Sequence, residues 1–220
     1  MMAAMTDRQP APTVGDSATG VILAGGRATR MGGVDKGLVS IGGRPMIAWV
    51  IDALRRQVRD ILINANRNLN EYATFGAAVI ADASNDFPGP LAGMLAGMRA
   101  ARTPFIVVVP CDSPLVHGAL AERLLAPLIE GRSRIAVAHD GTRLQPVFAA
   151  LACDLAVSLA EYMASDGRKI DRWYEQHDYV PVDFSDATES FLNINTPEDQ
   201  QALETEMARR KEATGDGRTA

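Results

Sequence analysis

Five apolar β-formers follow one another from Phe105 to Val109 with no polar residue between them. A strand with one wet face alternates apolar and polar side chains, so an unbroken run of this length marks a strand covered on both faces. Such strands occur where helices pack on each side of a mainly parallel sheet. The rest of the chain fits that frame. Gly20–Ala24, Asp60–Asn64, Ala78–Ala81, Arg134–His139 and Pro146–Ala149 are further short strands bounded by Gly, Pro, Asn or Asp. Between them, apolar residues recur with helical spacing. Pro45 is placed to be the first helical residue before Met46–Gln57, and Leu91–Arg102 and His117–Ile129 follow the same pattern. Strands alternating with helices predict an α/β fold with a mainly parallel central sheet. After Ala149 the pattern reads as helices over Cys153–Ser165 and Arg168–Gln176, strands over Tyr179–Asp183 and Phe191–Ile194, and a polar closing helix opened by Pro197.

A chain of 220 residues suits one such domain. We place it at 19–205, between a disordered leader over 1–18 and a polar, disordered tail over 206–220. The leader has neither a basic start nor an apolar core and does not read as an export signal. No apolar run reaches membrane-span length, and Cys111 and Cys153 stand apart from any paired-cysteine motif. A cytoplasmic protein with two unbridged thiols is the expectation. The net charge of −5 argues against broad attraction to nucleic acid, so an anionic ligand would need a local constellation.

That constellation is the stretch Leu23 to Lys36, LAGGRATRMGGVDK, directly after the first expected strand. Leu23, Ala24, Gly25 and Gly26 would let backbone amides approach a triphosphate, and Arg30 and Lys36 would supply its countercharge. It is neither a GxxxxGK[ST] loop nor a GxGxxG fingerprint. Asp112 follows the expected central strand at its carboxyl end, where open α/β sheets bind ligands. It is suited to a metal ion, although a helix cap is the competing reading. Asn64 and Asp82 end two more strands, as ligands or as turn-formers. Asn193 and Asn195 alternate along the expected last strand and should face one side, unless they form a turn into the Thr196-Pro197 cap. Arg168 and Lys169 read better as a solvated helix start than as anion ligands. His117, His139 and His177 lack metal-ligand spacing, Met94 and Met98 read as core, and Cys111 reads as a buried neighbour of Asp112. No Ser-His-Asp, Cys-His or HExxH arrangement supports covalent or zinc-dependent hydrolysis.

The loop, together with INANRN at 63–68, VIAD at 79–82, FPGPLAGM at 87–94, PCDSP at 110–114, VDFSD at 182–186 and FLNINTPED at 191–199, resembles the molybdenum cofactor guanylyltransferases, the MobA family. The segments keep the family's order over about 20–203. The resemblance implies a Rossmann-like nucleotidyltransferase fold and transfer of GMP from GTP to the phosphate of molybdopterin, with Mg²⁺ required and pyrophosphate released. It implies GTP contacts at Leu23–Gly26, Lys36, Asn64, Asp82 and Asp112, Mg²⁺ on Asp112, catalysis by Arg30, Lys36 and Asp112, and molybdopterin near Asn193 and Asn195. Transient contact with molybdenum-insertion and molybdoenzyme-maturation proteins would follow. Guanylyltransferases read LAGG where cytidylyltransferase relatives commonly read LAAG, and this chain reads LAGG. Ala28 departs from the Ser common in related loops, removing one hydroxyl contact. The rival expectations are a molybdopterin cytidylyltransferase, a sugar- or alcohol-phosphate nucleotidyltransferase, and a non-catalytic GTP-binding scaffold.

Overall fold

The computed structural model describes residues 14–25, 35–83 and 89–215. In chain order the elements are strand β1 (Ala18–Leu23), a small hairpin of β2 (Ser40–Ile41) and β3 (Arg44–Pro45), helix α1 (Met46–Leu54), β4 (Asp60–Asn64), α2 (Leu69–Ala73), β5 (Ala78–Ile80), α3 (Pro90–Ala100) and β6 (Phe105–Pro110). Then come α4 (Leu120–Ile129), β7 (Ile135–His139), β8 (Leu144–Ala152), α5 (Ala156–Ala164), α6 (Ile170–Tyr174), β9 (Tyr179–Asp183) and α7 (Pro197–Gly215). One seven-stranded sheet carries the order β5-β4-β1-β6-β8-β7-β9. Every pairing is parallel except those of β8, which runs against both β6 and β7.

The Phe105–Val109 run lies at the centre, as its lack of alternation requires. Val107 and Val109 enter the core under α1 and α4, whereas Ile106 and Val108 enter the core under α3, α5 and α6. β1 is divided in the same way, with Ile22 on the first face and Val21 on the second. Met94 and Met98 are buried in the second core, as their helical spacing indicates. Helix α3 lies unusually close to β1. A Cβ at Gly97 would stand 2.7 Å from Val21 Cγ2, and one at Gly93 would stand 2.7 Å from Leu23 Cδ2 and 2.3 Å from Asn64 Oδ1. Glycine four residues apart thus lets the helix backbone rest on the strand.

Several expected elements differ. Phe191–Ile194 is not a strand. Thr188–Phe191 forms a 3₁₀ turn, Phe191 and Ile194 sink into two separate apolar clusters, and the Ile194 N–H donates to the Asp112 carbonyl at 3.0 Å. Asparagine is a poor strand former because its side chain competes for backbone hydrogen bonds, and the segment 192–195 is irregular. Pro45 belongs to β3 and precedes α1 as its N-cap residue, so it is not the first helical residue. α4 starts at Leu120 after a turn in which His117 Nδ1 accepts from Ala119 N–H. α6 is shorter than expected at Ile170–Tyr174, and Cys153–Leu155 is a 3₁₀ turn ahead of α5. α2 and the β2–β3 hairpin are additional to the expected set. Among the described residues, the first regular element starts at Val14, inside the span expected as leader, and α7 continues to Gly215, inside the span expected as tail.

Candidate active site

In the order β5-β4-β1-β6 the chain leaves β1 toward one side of the sheet and returns to the other. This creates the crevice in which doubly wound sheets bind ligands, outside the carboxyl ends of their strands. The carboxyl ends are knitted together. Ala24 N–H donates to the Asn64 carbonyl at 2.8 Å, Cys111 N–H to the Leu23 carbonyl at 3.1 Å, and Ala65 N–H to the Ile80 carbonyl at 2.9 Å. Leu23 is therefore the last residue of β1, partly buried, Ala24 is buried, and Gly25 opens to solvent. Gly26 and Arg30, expected to complete the phosphate loop, lie outside the described residues, as does Ala28.

On the β4–β5 side, Asn64 and Asp82 meet, and a residue not singled out from sequence joins them. Asn64 Nδ2 donates to Asp82 Oδ1 at 2.9 Å and Asn66 Nδ2 to Asp82 Oδ2 at 2.7 Å, while Asp82 N–H donates to Asn66 Oδ1 at 2.9 Å. Each Asp82 oxygen keeps a further lone pair for a ligand donor. Asn64 is buried, Asn66 exposed and Asp82 half-buried. Gly25 sits against this network: a Cβ there would lie 3.3 Å from Asn66 Nδ2 and 3.4 Å from Asn64 Oδ1.

On the β6 side, the Lys36 ammonium stands 3.1 Å from Asp112 Oδ2 and also donates to Asn195 Oδ1. Lys36 and Asp112 are 76 residues apart, and no sequence spacing announces the pair. The next helix, α4, begins only at Leu120, which removes the helix-cap reading of Asp112. Asn193 and Asn195 share no sheet face. Ser113 Oγ donates to Asn193 Oδ1 at 2.6 Å, and Asn195 turns to Lys36. The segment is fastened by the start of α7, where Asp199 accepts from the N–H groups of Asn195 (3.0 Å) and Thr196 (2.9 Å) and its own N–H donates to Thr196 Oγ1. Those bonds, the Asn195 N–H first, hold the Asp199 carboxyl below its ordinary pKa.

Cys111 is buried between these groups, and burial, reinforced by the carboxylates of Asp112 and Asp35, pushes its thiol well up. It stays a neutral thiol and is not a nucleophile. Arg168 is held by the Met163 carbonyl at 3.2 Å and by Asp166, beside Lys169 at the start of α6.

A family model, the MobA-like NTP transferase domain, matches residues 20–180. The molybdenum cofactor guanylyltransferase of Shewanella piezotolerans is 47% identical over 87% of this chain and 94% of its own length. The chain belongs to the MobA-like NTP transferase family. The Shewanella sediminis molybdenum cofactor guanylyltransferase agrees equally well, at 48% identity over 86% of this chain and 96% of that protein. Among solved structures, the molybdopterin-guanine dinucleotide biosynthesis protein A of Archaeoglobus fulgidus superposes with a TM-score of 0.74 at 23% identity, covering 87% of this chain and 99% of that one. That likeness establishes the Rossmann-like nucleotidyltransferase fold. Family membership makes the chain a nucleotidyltransferase of molybdenum cofactor biosynthesis, and among the described residues no helix is long and apolar enough to cross a membrane.

Proposed function

We propose that this enzyme transfers GMP from GTP to the terminal phosphate of molybdenum-loaded molybdopterin in the cytoplasm, releasing pyrophosphate. The observation that carries the proposal is the split of the crevice into two chemically distinct halves. One is the asparagine and carboxylate network of Asn64, Asn66 and Asp82. The other is the Lys36–Asp112 pair. Guanine carries a ring N–H and an exocyclic amine on one edge, and the free lone pairs of Asp82 match two adjacent donors. Cytosine lacks that pair of donors, so its binding would leave the acceptors unpaired. Gly25, placed against the network, keeps the space that a purine requires.

The acceptor phosphate is already anionic at neutral pH and needs no general base. The obstacle is charge, because two anions must meet at the α-phosphorus. Asp112, half-buried at the carboxyl end of a central strand, supplies the single carboxylate that Mg²⁺ commonly takes alongside phosphate oxygens. A bound Mg²⁺ would supply charge screening at the transferring phosphate. Lys36 would exchange its bonds to Asp112 and Asn195 for phosphate oxygens, and Asn195 would then be free on the acceptor side. Arg30 and the amides of Gly25 and Gly26 would add to the screening, and Asn193, fixed by Ser113, would border the molybdopterin. Delivery of the product implies transient contact with molybdenum-insertion and molybdoenzyme-maturation proteins.

The test is pyrophosphate release with Mg²⁺ and GTP, with molybdopterin or a sugar phosphate as acceptor. Release only with the pterin, accompanied by a product of the mass of the guanine dinucleotide, supports the reading. Release with the sugar phosphate alone moves the enzyme to another nucleotidyltransferase class, and no release with any acceptor leaves a nucleotide-binding scaffold.

A further inference from the structure

Two residues of this protein occupy helix N-cap positions, are of the types best suited to capping, and cap nothing. Asp35 precedes the 3₁₀ turn Lys36–Leu38 and makes no side-chain cap bond, and Asn68 precedes α2, also without one. Asparagine and aspartate at such positions ordinarily bond the amides of the following turn. Here the two side chains turn toward each other. Asn68 Nδ2 donates to Asp35 Oδ2 at 3.1 Å, and the fully buried Tyr72 hydroxyl donates to Asp35 Oδ1. Asn68 holds the left-handed conformation, φ 51°, a backbone state that asparagine tolerates better than most residues. Asp35 itself is 7% exposed, so a carboxylate has been drawn inside and given specific neutral donors. Burial, then the nearby Cys111 and Asp35, raise the Tyr72 phenol far above its ordinary range, so it remains a donor at every working pH.

What lies beside this grip is Lys36. The residue on its other flank, Gly37, is pressed into the same corner: a Cβ there would stand 2.6 Å from the Tyr72 hydroxyl and 3.2 Å from Cys111 Sγ. Leu38 N–H closes the turn onto the Asp35 carbonyl at 3.0 Å. The main chain is thus fixed immediately before and immediately after Lys36, against a tyrosine on α2 and a cysteine adjacent to Asp112. A lysine side chain has four rotatable carbons and loses much freedom when ordered, so an anchored Cα is the cheapest way to deliver its ammonium to one place.

We infer that Asp35, gripped by Tyr72 and Asn68, is a positioning residue that sets the Lys36 ammonium against Asp112 for phosphate transfer. The inference deepens the proposed function and rests on it for the chemistry, but not for the geometry. Neither Tyr72 nor Asn68 touches the reacting groups; they act through Asp35 and Lys36. Removing the grip leaves the ammonium present and mobile, so transfer slows while GTP binding through the Asp82 network continues.

The first measurement needs no substrate. Lysines occur at 36, 169 and 211, so reductive ¹³C-methylation gives a small set of lysine resonances, with that of Lys36 identified by its loss in Lys36→Gln. Tyr72→Phe should move the Lys36 resonance toward the values of an exposed lysine and leave the Lys169 and Lys211 signals in place. Asn68→Gly, a surface change that removes the amide and keeps the left-handed backbone, should do the same to a smaller degree and guards against a folding defect in the tyrosine variant. The second measurement is a double-mutant cycle on GMP transfer. Tyr72→Phe should lower kcat about tenfold or more with under threefold change in KM for GTP, and should lower it less than twofold in a Lys36→Ala background. An unmoved Lys36 resonance in both variants overturns the positioning role, as do equal factors in the two backgrounds. If the wild-type enzyme does not transfer GMP, the proposed function fails, and the resonances still decide the positioning role.

Discussion

Gly25→Ala tests the nucleotide half of the site by adding one methyl group. The backbone there is not in the left-handed region, so alanine fits without strain and any effect comes from contact. The new Cβ would stand 3.3 Å from Asn66 Nδ2 and 3.4 Å from Asn64 Oδ1, so one of the two side chains has to yield by a few tenths of an ångström. Asn64 has little room to yield, because it is buried and already lies close to Gly93 of α3, where a Cβ would stand 2.3 Å from the same Oδ1. Asn66 is exposed and can swing, and its movement weakens the 2.7 Å bond to Asp82. A hydrogen bond to a charged group contributes about 1.5–3 kcal/mol when lost outright; with water replacing part of it at an exposed position, about 1 kcal/mol is expected. That corresponds to roughly fivefold weaker GTP binding. CTP, which makes less use of Asp82, should lose less, so the preference for GTP narrows. Calorimetric titration of wild type and variant with each nucleotide provides the comparison. Unchanged GTP affinity, or equal losses for GTP and CTP, would refute the assignment of this network to the base.

Asp112→Asn should reduce transfer by more than tenfold, equivalent to at least about 1.4 kcal/mol of transition-state stabilisation, with Tm nearly unchanged; activity above a tenth of wild type would remove Asp112 from the metal site. Asn195→Ala takes one acceptor from Lys36 and should lower turnover with the pterin while a GTP titration remains normal. Asp199 has a folded pKa below its unfolded value, so the stability it lends to the start of α7 is complete above the unfolded pKa, about 3.9, and is lost as pH falls through the lower folded value. Protection of the Asn195 and Thr196 amides, measured against their intrinsic exchange rates at each pH, should fall on that acid side, and Asp199→Asn should abolish this fall.

The centre of the sheet was legible because burial on both faces leaves its mark on a single stretch, Phe105 to Val109. Strand ends were nearly as plain, so Asn64 and Asp112 fell where the crevice lies. Strand direction was not, since the apolar pattern of β8 is the same whichever way it runs. Asn193 and Asn195 were expected in the wrong element: alternation suggested a strand, whereas the tertiary bonds of Ser113 and Lys36 hold an irregular segment. Asn66 was hidden because its partner Asp82 is 16 residues away, and nothing local distinguishes it from the other asparagines of 63–68. Asp35 was hidden for a different reason. Beside a lysine in a glycine-rich loop it reads as one more polar loop residue, and only the position of α2 reveals that Tyr72 and Asn68 converge on it.

Nucleotide choice tests the account most directly. With molybdenum-loaded molybdopterin, Mg²⁺ and equal concentrations of GTP and CTP, the cofactor product analysed by mass should carry guanosine monophosphate over cytidine monophosphate by at least tenfold, given about 1–3 kcal/mol for each guanine donor left without its acceptor. A product carrying mainly cytidine monophosphate would contradict the role given to Gly25 and Asp82 and make the cytidylyltransferase reaction the correct one.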